Sequence, residues 1–343
     1  MTTAFDLDAV ARDAVPDEVV VRLRAAREVL AVGHENPDAD TLGATLAVCR
    51  LVEAIGGRAT AVFSDAPPAA YAFMPDLDRI HPDPDPGRTY DLLVLSDCAT
   101  AERVGAVAIR HPELFRDVPR IVIDHHASND ARGTGDWVDP DAAATCEMVA
   151  LLAVRLGVPL GTADGAMATE LMAGIVTDTA TFAHPNATPR TLAVSAALVA
   201  VGAPLSDLSR RFYRSKPDAQ LRLFGRVLGR LQASPDGLVI WSTLLLEDLA
   251  ATGALPAHSE GIIDLLAQSE TAEVAMLLKE QPDGTTRLSV RTKPGGVDAT
   301  VLTGEFGGGG HTRASGATMG MPVAEAVVAA DAVARRLASA VRR

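Results

Sequence analysis

The sequence is short of lysine, of aromatic side chains and of cysteine, and each shortage closes off a class of protein. Only three of its 31 basic residues are lysines (Lys216, Lys279, Lys293), and 44 acids leave a net charge of −13. A general nucleic-acid binder presents a basic face, so this balance argues against one that grips long duplexes. It leaves room for a short phosphorylated ligand held by a few local cations. Aromatic residues make up 4% of the chain against 48% hydrophobic residues in all, so the cores must be packed from Ala, Val and Leu. Cys49, Cys98 and Cys146 lie far apart in periodic apolar segments. That spacing suits reduced core thiols, not a disulfide framework or a zinc site. No apolar run reaches the roughly 18 residues that a membrane-spanning helix needs. The start MTTAFDLDAVARDAV carries early acids and no basic-then-apolar leader pattern. These features predict a cytoplasmic protein with no membrane partner.

At 343 residues the chain is long for one domain and comfortable for two. EVLAVGH, RATAVFSD, DLLVLSDC and RIVIDHH read as strands; the last two are continuous apolar runs, as in a parallel sheet covered on both faces. TLGATLAVCRLVEAIGG, AAATCEMVALLAVRLG and ADGAMATELMAGIVTDTATF read as helices between and after them. The alternation predicts an α/β fold with an open parallel sheet. SDLSRRFYRSKPDAQLRLFGRVLGRLQ reads as a helical connector, and a smaller α/β unit with strands GLVIWSTLL, AEVAMLLKEQ and TTRLSVRTK follows it. The expected division is a first domain over 1–185, a helical linker over 186–220 and a second domain over 221–343.

Acids and imidazoles fall at the strand ends of the first unit. His34, Asp38 and Asp40 follow one strand in HENPDAD, Asp97 ends a second, and Asp124, His125 and His126 end a third; Asp178 sits in GIVTDTATF. Open parallel sheets bind ligands beyond the carboxyl ends of their strands, so these groups converge on one edge. Core packing does not predict that pattern. Asp38, Asp40, Asp97 and Asp178 carry four negative charges, which match two divalent cations; a single ion would leave carboxylates repelling one another in a low-dielectric crevice. Mixed imidazole and carboxylate donors suit Mn²⁺, Fe²⁺, Co²⁺ or Zn²⁺ better than Ca²⁺ or Mg²⁺. Pro37 is expected to hold Asn36 extended, letting Asp38 and Asp40 turn towards different ions. In the second unit Gly307 to Gly310 allow close backbone approach to a ligand. His311, Arg313 and Arg291 add cationic or imidazole groups, a guanidinium being able to hold phosphate bidentately. Arg103 weighs evenly between the crevice and a solvated helix start. His81, His111, His184 and His258 read as surface residues, and Cys98 as a buried thiol.

HENPDAD, SDC, IDHH and TDT in that order, followed by GGGGH, resemble the DHH phosphoesterase superfamily with its C-terminal DHH-associated domain. Length and layout resemble its bacterial nanoRNase/pAp-phosphatase branch. The resemblance implies a Mn²⁺ pair, with Mg²⁺, Fe²⁺ or Co²⁺ as substitutes. His34, Asp38 and Asp97 would hold one ion, and Asp40, Asp97, His125 and Asp178 the other. Asp97 would bridge, His126 would face the scissile phosphate, and Asp124 would orient the histidines. Arg291, Gly308, Gly309, Gly310 and His311 would join His126 in gripping substrate. The implied activity is hydrolysis of short RNA and pApA to 5′-mononucleotides and of pAp to AMP, with cyclic di-AMP a further substrate, by a homodimer. One departure stands out: the family's first motif often ends Gly-Ser, whereas this chain has Gly43-Ala44, which puts a minor phosphate contact in doubt. Two other readings use the same motifs, an inorganic pyrophosphatase or exopolyphosphatase and a nucleotide sensor that has lost turnover. The GGGGH run and the shortage of lysine favour the nucleotide branch over the former, and the complete ligand set argues against the latter.

Overall fold

The computed structural model describes residues 5–341, apart from 99, 130–132 and 134. The chain divides into two compact units, 1–215 and 216–343. In the first, six strands form one parallel sheet: β1 (Glu28–Val32), β2 (Arg58–Val62), β3 (Ile80–His81), β4 (Leu92–Ser96), β5 (Arg120–Asp124) and β6 (Trp137–Val138). Their order is β3-β2-β1-β4-β5-β6. The chain therefore winds outward from β1 in one direction, then returns to start β4 on the other side of β1. That reversal opens a crevice beyond the carboxyl ends of β1 and β4, where such sheets bind ligands. The central strands are buried on both faces (Val29 to Val32, Leu92 to Ser96, Ile121 to Asp124) because helices cover each side. That is why their sequences do not alternate.

The helix Ala39–Ala54 starts at the crevice and is buried along nearly all its length. It packs against the helix Ala166–Asp178 at two glycines. A Cβ on Gly43 would overlap the Glu170 carbonyl oxygen, and one on Gly174 would lie 2.5 Å from Cys146 Sγ. Ala44, at the departure from Gly-Ser, is fully buried in the apolar core, so this position offers nothing to a phosphate. All three cysteines are free and buried, as their apolar surroundings led one to expect.

Arg50 donates from Nε to Glu170 Oε1 across this helix pair (3.1 Å) and also pairs with Asp76. Burial nonetheless pushes the Glu170 carboxyl up to about 7, outweighing Arg50. A carboxyl raised on folding binds more protons in the native chain than in the unfolded one, so its contribution to stability falls as pH climbs from about 4.5 to 7. Glu170→Gln cannot ionise and is expected to flatten that fall, by at most about 3 kcal/mol. Denaturant unfolding of the metal-free protein at pH 5 and pH 8 measures it; parallel pH profiles for both proteins would refute the assignment.

Two segments differ from their sequence reading. The helix carrying TDTATF stops at Asp178, and Ala180, Thr181 and Phe182 follow with φ of 47°, 56° and 65°. Thr179 caps this left-handed turn, its Oγ1 accepting from the Phe182 N–H at 3.0 Å. The connector is not one helix: Leu205–Ser209 runs into a π-helical turn over Arg210–Arg214, and a new helix, Asp218–Leu228, starts after Pro217. Proline suits a helix start and breaks an interior. The new helix buries Leu223, Phe224 and Val227 in the second unit.

The second unit is a mixed sheet of β7 (Gln232–Ala233), β8 (Val239–Leu244), β9 (Val274–Glu280), β10 (Thr286–Thr292), β11 (Gly309–His311) and β12 (Ala314–Met319). The order is β11-β12-β10-β9-β8-β7, with only β8 and β9 parallel. The last helix, Val323–Val341, lays Ala326, Ala330, Ala334 and Ala338 on one face of this sheet, each fully buried. Spacing of four places them on one helix stripe, and small side chains let helix and sheet approach closely. This is how a chain poor in aromatics closes its core. No single helix among the described residues is long and apolar enough to cross a membrane.

Candidate metal centre

β1 ends at Val32 and delivers His34 to the crevice. Its Nδ1 donates to the carbonyl of Glu35 (2.7 Å), which turns Nε2 inward, 3.4 Å from Asp97 Oδ2 and 3.9 Å from Asp38 Oδ2. His125, just past β5, is held the same way. Its Nδ1 donates to the Ala142 carbonyl (3.3 Å), and Nε2 lies 3.3 Å from Asp178 Oδ2, 3.7 Å from Asp97 Oδ1 and 3.9 Å from Asp40 Oδ2. A backbone carbonyl on one ring nitrogen leaves the other for a ligand, the usual arrangement of metal-binding imidazoles.

The loop HENPDAD splits its two acids as expected, but by a different backbone route. Asn36 adopts φ 53° instead of the extended conformation expected before Pro37, and its N–H donates to Asp65 Oδ2 (2.7 Å). Asparagine tolerates this left-handed region. Asp38 then caps the helix through Oδ1, which accepts from the N–H groups of Asp40 and Thr41 at 3.0 Å each, and keeps Oδ2 for the crevice. Asp40, the second residue of the helix, is fully buried. The outcome is two donor sets, His34/Asp38/Asp97 and Asp40/His125/Asp178, with Asp97 also grouped with His125 and His126. Asp97 sits at the sheet's reversal with φ 58°.

The electrostatics of the cluster favour positive charge. Burial, reinforced by Asp178 and Asp97, pushes Asp40 well above the usual carboxylate range; burial and Asp97 also raise Asp38. Burial alone would depress His125, yet Asp178, Asp40 and Asp97 outweigh it and raise the imidazole to about 10. His34 is raised too, burial being outweighed by Asp97 and the Glu35 carbonyl. Protons are held where positive charge is wanted. Imidazole nitrogen and carboxylate oxygen together fit divalent transition ions.

His126 stands apart from the two donor sets. Its side chain is 39% exposed, and both its N–H and Nδ1 bond Asp124 Oδ1, at 3.1 and 2.8 Å. The Asp124 contact is the main cause of its raised pKa. The raised imidazole in turn helps hold Asp124 below the usual range against its burial. Asp124 does not orient both histidines: it reaches His126 and the Asn129 amide (2.7 Å), while His125 is set by Ala142.

Sequence reading placed a helix around Thr145–Leu156 but gave Thr145, its first residue, no role at the site. The N-cap of this helix, Ala144, has no side chain able to cap. Asp40 does so from across the fold, Oδ2 accepting from Thr145 N–H (2.7 Å) and Oδ1 from Cys146 N–H (2.9 Å). The Thr145 hydroxyl donates to Asp97 Oδ1 (3.0 Å). An uncapped helix start was the available sequence signal, but which acid fills it depends on the tertiary fold.

In the second unit, the GGGGH run is a hairpin strand. Gly309–His311 pairs with Ala314–Met319, and His311 is exposed. A Cβ on Gly308 would meet Ala317 Cβ at 2.6 Å, and Gly310 has φ 142° with Ser315 Cα only 2.8 Å from where its Cβ would be. The hairpin itself thus requires Gly308 and Gly310, while Gly309 faces open space. Arg291 lies on β10, one-third exposed, donating from Nε to Asp264 Oδ1 (3.0 Å).

Comparison with known proteins matches residues 28–176 to the DHH family, N-terminal domain, and 244–339 to the DHHA1 domain. The bifunctional oligoribonuclease and PAP phosphatase NrnA of Thermus thermophilus is 35% identical over 83% of this chain and 82% of its own length. The chain belongs to the DHH family. A second relative of that name, from Bacillus subtilis, is 26% identical over 83% of this chain and 87% of its own. The crystal structure of an exopolyphosphatase-related protein from Bacteroides fragilis shares the fold, with a TM-score of 0.80 at 21% identity over 95% of this chain and 97% of that one. The DHH match spans β1 to the helix that ends at Asp178, and so holds His34, Asp38, Asp40, Asp97, Asp124, His125 and His126.

Proposed function

We propose that this DHH-family chain is a metal-dependent phosphoesterase that hydrolyses short oligoribonucleotides and removes the 3′-phosphate of pAp. The observation that carries the reading is the pair of donor sets meeting at Asp97, in a chain similar to relatives named for those two activities. His34, Asp38 and Asp97 would hold one divalent ion, and Asp40, Asp97, His125 and Asp178 the other; Mn²⁺ is the ion proposed, on donor chemistry. When bound, such a pair acts as a Lewis acid and supplies water of lowered pKa.

The chain's own residues do the rest. The carbonyls of Glu35 and Ala142 fix both ligand imidazoles in the tautomer that presents Nε2. The Asp124 contact at Nδ1 raises the His126 pKa, which favours the imidazolium form, and leaves Nε2 directed away from Asp124. That N–H can donate to a phosphoryl oxygen as negative charge grows in the transition state. Arg291, Gly308 to Gly310 and His311 are proposed as contacts to the nucleotide remote from the scissile ester, in a cytoplasmic homodimer. Arg291 Nε donates to Asp264 and Nη1 to the Val290 carbonyl (3.2 Å), so Nη2 is the atom proposed to meet phosphate. Arg291→Ala is expected to weaken pApA binding about tenfold, near 1.4 kcal/mol, without changing metal content. Titration with pApA alongside metal analysis tests it, and unchanged affinity would remove Arg291 from the site.

The deciding experiment for the activity is a panel of pAp, pApA, longer nanoRNA, cyclic di-AMP and inorganic pyrophosphate in Mn²⁺, with products resolved by chromatography. Turnover of pAp and short RNA to mononucleotides, with pyrophosphate left intact, is expected. Pyrophosphate as the preferred substrate would overturn the proposal.

A further inference from the structure

One buried residue bonds an acid of each set, Asp40 through its backbone and Asp97 through its side chain. Thr145 is fully buried at the first turn of its helix. Its N–H donates to Asp40 Oδ2 (2.7 Å) and its hydroxyl to Asp97 Oδ1 (3.0 Å). That hydroxyl bond is shorter than the approach of any imidazole to the Asp97 carboxylate among the described residues, His34 and His126 lying at 3.4 Å and His125 at 3.7 Å. Asp97 leaves the sheet in a left-handed conformation, and rotation about its last side-chain bond would swing Oδ1 away from His125 or Oδ2 away from His34. For Asp97 to serve both sides, with Oδ2 towards His34 and Oδ1 towards His125, its carboxylate plane would have to be held. The hydroxyl donor fixes that plane, and the same residue's N–H ties it to Asp40, which belongs to one donor set only.

We infer that Thr145 is a positioning residue for the metal pair: it sets the plane of the Asp97 carboxylate relative to Asp40 and thereby the affinity of the Asp40/His125/Asp178 set for its ion. The inference rests on the two-ion reading above. It separates the two sets, because Oδ2 of Asp97, which faces His34, accepts nothing from Thr145. The ion held by His34 and Asp38 is therefore the less dependent on this residue. Groups that orient ligands from behind commonly change metal affinity 10- to 100-fold.

The helix N–H survives substitution by Val, Ala or Ser, so these side-chain variants isolate the hydroxyl. Thr145→Val keeps the shape and removes the donor. In calorimetric titration of the metal-free protein with Mn²⁺, wild type is expected to bind two ions. Thr145→Val should bind the first as wild type does and the second about tenfold or more weaker. Its kcat should fall at limiting Mn²⁺ and recover with excess, while KM for pApA stays within about twofold. Thr145→Ser retains the donor and should match wild type, and Thr145→Ala should follow Thr145→Val. The Ser and Ala pair decides the matter even if the valine variant does not fold, as checked by circular dichroism in chelator. Wild-type isotherms for both Val and Ala, or a Ser variant as weak as Ala, would overturn the inference. Fewer than two ions in wild type would instead defeat the two-ion reading, and this inference with it.

Discussion

Asp97→Asn is expected to lower kcat on pApA on the order of 10³-fold, a loss of about 4 kcal/mol of transition-state stabilisation, with bound Mn²⁺ falling from two ions to one or none. The substitution is chosen so that little else changes. Asparagine has nearly the same shape, can still accept from the Thr145 hydroxyl, and tolerates the left-handed backbone (φ 58°) that Asp97 adopts. What it loses is the charge that faces His34 through one oxygen and His125 through the other. The fold should not suffer. Removing one carboxylate from a buried acidic cluster relieves repulsion, so the metal-free variant should unfold no earlier than wild type. Kinetics in excess Mn²⁺, elemental analysis and melting in chelator give the three readouts. A variant that retains most activity, or that loses activity only because it unfolds, would contradict the assignment of Asp97 as the shared ligand.

Gly174→Ala should have the second-largest effect, and its sign is instructive. Gly174 lies inside the helix Ala166–Asp178, one turn before Asp178. On helix propensity alone, alanine should stabilise the protein by about 1 kcal/mol. The structure predicts the opposite. A Cβ there would overlap Asp40 Oδ1, lie 2.5 Å from Cys146 Sγ and 2.8 Å from Asp40 Cα. None of these is the free end of a flexible side chain, because Asp40 is held by two helix N–H groups. Overpacking a tight core costs about 1 to 3 kcal/mol, which exceeds the propensity gain. The displaced carboxylate belongs to the second donor set, so metal affinity should drop along with stability. Expected are net destabilisation of about 1 to 2 kcal/mol in denaturant unfolding and at least tenfold weaker binding of one ion. Stabilisation with unaltered metal binding would contradict the claim that Gly174 must stay bare to seat the Asp40 carboxylate.

Why some of this could be read from the sequence follows from where each constraint originates. Strands that are apolar end to end, interrupted by helical periodicity and terminating in His34, Asp97 and Asp124, announce both a parallel sheet and the edge at which polar groups collect. Each of those signals lies within about ten residues of chain. The separation of Asp38 from Asp40 was legible for the same reason, although the backbone reaches it through a left-handed Asn36. Other features depend on pairs distant in sequence. The Asp40 cap on the helix at Thr145 spans 105 residues, and the hydroxyl bond to Asp97 spans 48. Neither partner carries a local mark of the other. Gly174 looked like an ordinary small residue in a helix until the carboxylate opposite it was placed. The glycine run at Gly307 to Gly310 carries two signals that its sequence does not separate, because tight hairpin packing and close ligand approach ask for the same residue. Asp124 likewise sits next to both His125 and His126, and only the fold shows that it holds one of them.

The most direct test is a crystal soaked in manganese, with anomalous diffraction collected at the Mn edge. Two peaks are predicted, one among His34, Asp38 and Asp97 and the other among Asp40, His125 and Asp178, each within bonding distance of an Asp97 oxygen. A single peak, or none between these groups, would contradict the account.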